Sequence, residues 1–129
     1  MQVPEELRYT ADHEWVRLDG DRVYVGITDY AQDALGDVVF VQLPEPGSEV
    51  VGGAAFSEVE STKSVSDVYA PLSGTFVEVN TDLADAPQRL NEDPYGEGWL
   101  IKVKVEPGTT LDQLMTLEQY EKQVASEGH

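Results

Sequence analysis

Two alternating runs, Ala55 to Glu60 and Val65 to Ala70, stand on either side of the polar tetrapeptide Ser61-Thr62-Lys63-Ser64, and no other stretch limits the fold so tightly. Phe56, Glu58 and Glu60 share one face of the incoming run, while Ala55, Ser57 and Val59 share the other. On the outgoing run Val65, Asp67 and Tyr69 alternate with Ser66, Val68 and Ala70. A period of two is that of a strand, so the stretch predicts a hairpin. Its small polar loop suits a type I turn that holds the central side chains out to water. Lys63 sits at the tip. A lone lysine at a turn is ordinarily solubilising surface. Here the chain has only four lysines, Lys63, Lys102, Lys104 and Lys122, and Lys63 is the one cationic side chain between Arg22 and Arg89. That isolation makes its amine a candidate for chemistry.

The rest of the chain repeats the hairpin theme. His13-Glu14-Trp15-Val16 and Arg22-Val23-Tyr24-Val25-Gly26-Ile27 flank Asp19-Gly20-Asp21 and predict a second hairpin. Thr28-Asp29 offers a helix cap, Gln32 follows Asp29 in a capping-box arrangement, and Gly36 closes a helix of about two turns. Val38 to Leu43 predicts a buried strand, stopped by Pro44-Glu45-Pro46-Gly47. Thr75 to Val79 alternates again after Gly74, and Trp99 to Val105 predicts a long strand with Lys102 and Lys104 on its wet face. Between them Pro87 is placed to open a brief helix, and Asn91-Glu92-Asp93-Pro94 to form a turn. From Thr110 an apolar stripe of Leu111, Leu114 and Met115 continues through Leu117, Tyr120 and Val124. With a capping box at Thr116 and Gln119, it predicts one or two helices packed on the sheet as structure. Many short strands with glycine turns imply a compact β-sandwich or barrel.

A length of 129 residues predicts one domain with one core. Twenty-five acidic residues against eight basic ones give a formal charge of −17, which repels nucleic acid and anionic membrane and favours basic patches on protein partners. With no cysteine, the polypeptide offers no thiol nucleophile and no sulfur ligand for a metal, so any sulfur redox chemistry has to be imported. No apolar run reaches membrane-spanning length, and the amino terminus lacks the pattern of a signal peptide, so a cytoplasmic location is expected.

From Gly47 onward the chain resembles the biotinyl and lipoyl carriers: a glycine turn, a short strand, Glu60-Ser61-Thr62-Lys63, then Ala70-Pro71 and Gly74. Biotin acceptors usually carry methionines beside the lysine, where this chain has Thr62 and Ser64, which favours lipoyl. Around that core lie His13-Glu14-Trp15, Val25 to Gln32, Leu35 to Val41, and Asn91 to Tyr95 through Gly98-Trp99. These resemble the H proteins of the glycine cleavage system over nearly the whole chain.

The resemblance implies a mainly β fold, a barrel-sandwich hybrid with short peripheral helices and a C-terminal helix. It lays the single lipoyl-carrier domain over residues 1–129: an N-terminal hairpin and helix over 9–36, a lipoyl-type core over about 37–105, and a helical tail over 110–126. It implies lipoate in amide linkage on Lys63, as N6-lipoyllysine. The implied partners are the P protein, a pyridoxal-phosphate glycine decarboxylase; the T protein, an aminomethyltransferase; the L protein, dihydrolipoyl dehydrogenase; and a lipoyl-attaching enzyme. The carrier takes an aminomethyl group from P to T and reducing equivalents to L, catalyses none of these steps alone, and is expected as a monomer. Asp12, Glu14 and Asp67 match residues of the cleft that shelters the loaded arm, although the family often has serine at the position of Asp12. Glu60 and Gly47 match positions associated with lipoylation.

Each of these residues has a plainer reading. The three acids suit strand ends in water, Glu60 an exposed strand position, and Gly47 a turn former. His13 beside Trp15, with no second nucleophile, reads as a packing or hydrogen-bonding residue. Competing functions are a lipoyl or biotinyl carrier of another complex, a lipoyl-relay protein, and, more remotely, a small acid-base hydrolase. The last lacks any defensible catalytic constellation in the sequence.

Overall fold

The computed structural model describes residues 7–106 and 111–127. The elements in chain order are β1 (Arg8–Tyr9), β2 (Glu14–Asp19), β3 (Arg22–Ile27), α1 (Asp29–Leu35), β4 (Val38–Gln42), β5 (Glu49–Val50), β6 (Ala55–Ser61), β7 (Val65–Tyr69), β8 (Gly74–Val79), α2 (Asp82–Asp85), α3 (Arg89–Glu92), β9 (Ile101–Lys104) and α4 (Leu117–Glu127). Alternating strands bury one face each, and here they do so against one another. A six-stranded antiparallel sheet runs β1-β2-β3-β9-β8-β5, and a three-stranded one runs β4-β6-β7. Val16, Val23, Val25, Phe76, Ile101 and Val103 from the first meet Val38, Val41, Val59 and Val68 from the second in the main core. Each such side chain contributes about 1.5–3 kcal/mol by leaving water. The fold class is the expected one, mainly β with short peripheral helices and a C-terminal helix.

The lysine hairpin forms as predicted, with β6 and β7 paired from Ala55↔Tyr69 to Glu60↔Val65. The first hairpin pairs Glu14↔Ile27 through Asp19↔Arg22. Within it Gly26 lies under Trp15, where an added Cβ would stand 2.7 Å from the indole. The indole N–H donates to the Pro94 carbonyl at 2.9 Å.

Helix α1 is capped by Thr28, whose hydroxyl accepts the Ala31 N–H, while Gln32 donates to the Asp29 carboxylate in place of closing a full capping box. At Thr116 the box is complete: the Thr116 N–H donates to Gln119 Oε1, and the Gln119 N–H to Thr116 Oγ1. The described tail holds one helix. Before it the chain turns, the Leu114 N–H donating to the Leu111 carbonyl, and Met115 then bridges to Tyr9 because β1 offers a free edge. Thr110 lies outside the described residues. Tyr120 fixes α4 by stacking on Tyr9 at 4.8 Å, in a second apolar cluster with Leu7 and Trp15.

Two sequence expectations change. The segment before Pro87 forms α2, which buries Leu83, and Asn91 and Glu92 belong to α3 instead of a turn. Strand β4 is not buried throughout: Val38 and Val41 face the core, but Val39 and Phe40 are 53% and 50% exposed. A bulge between Val38 and Phe40 against β6 breaks the alternation and turns both side chains outward.

Candidate functional site

The hairpin tip is held by its own polar residues. The Ser61 N–H donates to the Ser64 carbonyl at 2.8 Å, and Ser61 Oγ accepts the N–H groups of Lys63 and Ser64 at 3.2 and 3.1 Å. A hydroxyl doing the work of a backbone acceptor explains why small polar residues fill this loop. The Thr62 N–H donates to the Asp37 carbonyl at 3.0 Å, tying the tip to the end of α1.

There Gly36 takes φ 85°, which only glycine adopts freely, and an added Cβ would lie 3.2 Å from Lys63 Cε and 3.7 Å from Cδ. The lysine stem therefore rests on bare backbone. Asn91 holds that backbone in place: its amide donates to the Gly36 carbonyl at 2.8 Å and to Gln32 at 3.0 Å, and its oxygen accepts the Val38 N–H at 2.8 Å. Among the described residues Lys63 makes no ion pair within 4.0 Å.

Beside the tip, a cleft of about 300 Å³ opens between the free edge of β7, α1 and the turn before β2. One wall is apolar, with Ile27, Ala31, Leu35, Val59 and Val68. Asp12, Glu14 and Asp67 all line it, so the three acids are brought together, and Ser64 joins the cleft to the tip. Glu60 and Gly47 are not among its lining residues. Glu60 lies on β6 between Phe40 and Val65, and Gly47 turns the chain before β5 at φ 91°, its N–H donating to the Phe76 carbonyl.

Glu14 is the unusual acid. It is 2% exposed, accepts from Thr10 Oγ1 at 2.6 Å and receives the Tyr69 N–H at 3.2 Å on its other oxygen. Burial pushes its carboxyl from an ordinary 4.5 up to about 7; the bonds from Thr10 and Tyr69 oppose the rise, and the nearby Asp12 charge adds to it. A partly neutral carboxyl at a cleft floor is a group in want of a cation.

His13 forms part of the cleft wall at φ 68°, against the Tyr30 ring at 4.7 Å. Its Nδ1 pairs with the Tyr120 hydroxyl at 2.8 Å and its Nε2 with Glu127 at 3.2 Å, so it joins the cleft to α4. The Tyr120 hydroxyl also meets Thr28 Oγ1 at 2.7 Å, and burial pushes it up from the usual phenol range. Sequence reasoning missed Gly36 as a seat for the lysine stem and Asn91 as its clamp. Both contacts cross between segments far apart in the chain and leave no local pattern.

The glycine cleavage H-protein family profile matches residues 7–127. A glycine cleavage system H protein of Geobacillus kaustophilus (strain HTA426) is 55% identical over 124 residues, covering 96% of this chain and 98% of that one. One from Mycobacterium avium (strain 104) is 61% identical over 115 residues, covering 88% and 87%. A crystal structure of a glycine cleavage system H protein from Mycobacterium marinum superposes with a TM-score of 0.84 at 44% identity, over 98% of this chain and 100% of that one.

Proposed function

The chain belongs to the glycine cleavage H-protein family and serves as a lipoyl carrier of the glycine cleavage system, and from that premise we propose that Lys63 is the lipoyl attachment site and the acid-lined cleft the shelter for its cargo. The observation that carries this reading is the juxtaposition of an exposed amine, without an ion pair among the described residues, on a pinned hairpin tip with a cleft that is apolar along one wall and lined by three acids. Lipoate in amide linkage supplies the exchangeable disulfide that a cysteine-free chain lacks.

The chain's own residues fit that group. Ile27, Ala31, Leu35 and Val59 offer apolar surface to a hydrocarbon arm, and Glu14, Asp67 and Asp12 offer carboxylates to a protonated aminomethyl cargo. A cation arriving beside Glu14 favours its ionised form, so docking of the cargo draws a proton off this carboxyl. Enclosure keeps water from the cargo between visits. The chain holds and presents; the bond making belongs to the P, T and L proteins. It works as a monomer in the cytoplasm, and Glu60 and Gly47 contribute to recognition by the lipoyl-attaching enzyme, Gly47 by fixing a turn.

Intact-mass and peptide mass spectrometry of protein from lipoate-supplied cells are expected to find the lipoyl addition on Lys63 alone. Lys63→Arg is expected to reduce glycine decarboxylation in a mixture with P, T and L proteins to background. Lipoylation at Lys102, Lys104 or Lys122, or activity retained by Lys63→Arg, would overturn the assignment.

A further inference from the structure

No residue of β4 lines the cleft, yet the bulge in this strand turns two consecutive large apolar side chains, Val39 and Phe40, into water beside the lysine tip. In unbroken alternation one of them would face the core. Phe40 pairs across to Glu60, and Glu60 to Val65, which is 58% exposed, so one rung of the outer sheet face reads apolar, acidic, apolar. The next rung, Gln42, Glu58 and Asp67, is polar and acidic. The rung is close to Lys63 because Asp37, just before β4, accepts the Thr62 N–H, and Val38 pairs with Ser61.

On the reading of Lys63 given above, we infer that Val39 and Phe40 form the docking spot for the enzyme that attaches the lipoyl group, which presents an apolar hollow rimmed by basic side chains. Charge suits a basic partner: Glu60 lies in the same rung, Glu58 and Asp67 in the next and Asp37 just before β4, while Lys63 is the one cation in the whole middle section of the chain. Reach selects among such partners. Partners that act on the loaded arm receive it at the end of a long extension, whereas the attaching enzyme must bring its catalytic centre to Nζ itself. That atom ends a four-carbon stem lying on Gly36. Whatever closes over Nζ at that range also covers the flanking rung. An exposed aromatic with an aliphatic neighbour and a charged rim has the composition of an interface centre.

The test uses the full-length chain, unmodified, with a purified lipoate ligase, lipoate and ATP, and follows modification by intact mass. Val39→Ser/Phe40→Ser is expected to lower kcat/KM for lipoylation at least tenfold, mainly through KM. Phe40→Leu is expected to keep most of the rate, and Leu18→Ser, an exposed apolar position in the other sheet, to leave it unchanged. Melting curves check that the double variant is folded. Once lipoylated to completion, it is expected to support glycine decarboxylation within twofold of wild type. Lipoylation of the double variant within twofold of wild type would overturn the inference. So would normal lipoylation combined with lost turnover by a later partner, or with lost self-association in sedimentation, since the face would then belong to that partner or to a second copy. Wild type that accepts no lipoyl at all would instead sink the carrier reading, and this inference with it.

Discussion

At the scale of single residues, Glu14 carries the clearest energetic signature. Unfolded, it ionises near 4.5; folded, burial holds it at about 7. Between those values the unfolded chain has released a proton that the folded chain keeps, so this residue's contribution to stability falls as pH rises and is lost once pH passes about 7. The shift sets a ceiling of about 3 kcal/mol. Glu14→Gln has no such titration. Urea unfolding at pH 5 and pH 8 is expected to show wild type losing about 1–3 kcal/mol more than the variant over that interval, a comparison that cancels the common background of the other acids. Equal losses would mean that the carboxyl is better solvated than its burial implies. If the loaded arm docks as proposed, its amine supplies a cation that lowers the Glu14 pKa, and the wild-type curve is expected to flatten toward that of the variant.

At the scale of elements, what matters is how α1, β4 and the lysine hairpin are locked together. Asn91 spends both amide hydrogens and its oxygen on Gln32, Gly36 and Val38, at the junction on which the Lys63 stem rests. Asn91→Ala is expected to cost about 2–3 kcal/mol in urea unfolding, at roughly 1 kcal/mol per lost bond, and a loss under about 0.5 kcal/mol would show that water replaces it.

This junction also marks the limit of what the sequence made legible. Both hairpins, the Thr28 and Gly36 ends of α1 and the Thr116–Gln119 box were readable because each rests on residues a few positions apart. The three acids were assembled only through family resemblance, since Asp12 and Glu14 come from one hairpin and Asp67 from another. The bulge at Val39 and Phe40 was invisible because a β-branched, apolar run looks the same whether alternation is kept or broken. Helix α2 was missed because four residues carry too little periodicity to register.

At the scale of the whole molecule, the charge distribution decides how the chain meets its partners. Several cations are engaged locally: Arg17 and Lys102 lie over the Tyr24 ring, Lys102 also reaches Glu78 at 3.4 Å, Arg89 pairs with Glu97, and Lys122 reaches Glu118 at 3.7 Å. Among the described residues Lys63 is free of such pairs, and on the proposed attachment amide formation there would remove its charge and take the formal total from −17 to −18. A carrier visiting several enzymes gains from this field in encounter rate, because one long-range attraction serves every basic docking face. Salt should therefore act on association. Between 0.1 and 1 M the screening length falls from about 10 Å to about 3 Å. In an assay of dihydrolipoyl dehydrogenase acting on the lipoylated chain, KM is expected to rise about three- to tenfold over that range while kcat stays within twofold. Free dihydrolipoamide, which lacks the acidic body, is expected to show a KM that hardly moves. A carrier KM as indifferent to salt as that of the small molecule would confine the net charge to keeping the chain soluble. Docking would then rest on short-range contacts around the lysine hairpin.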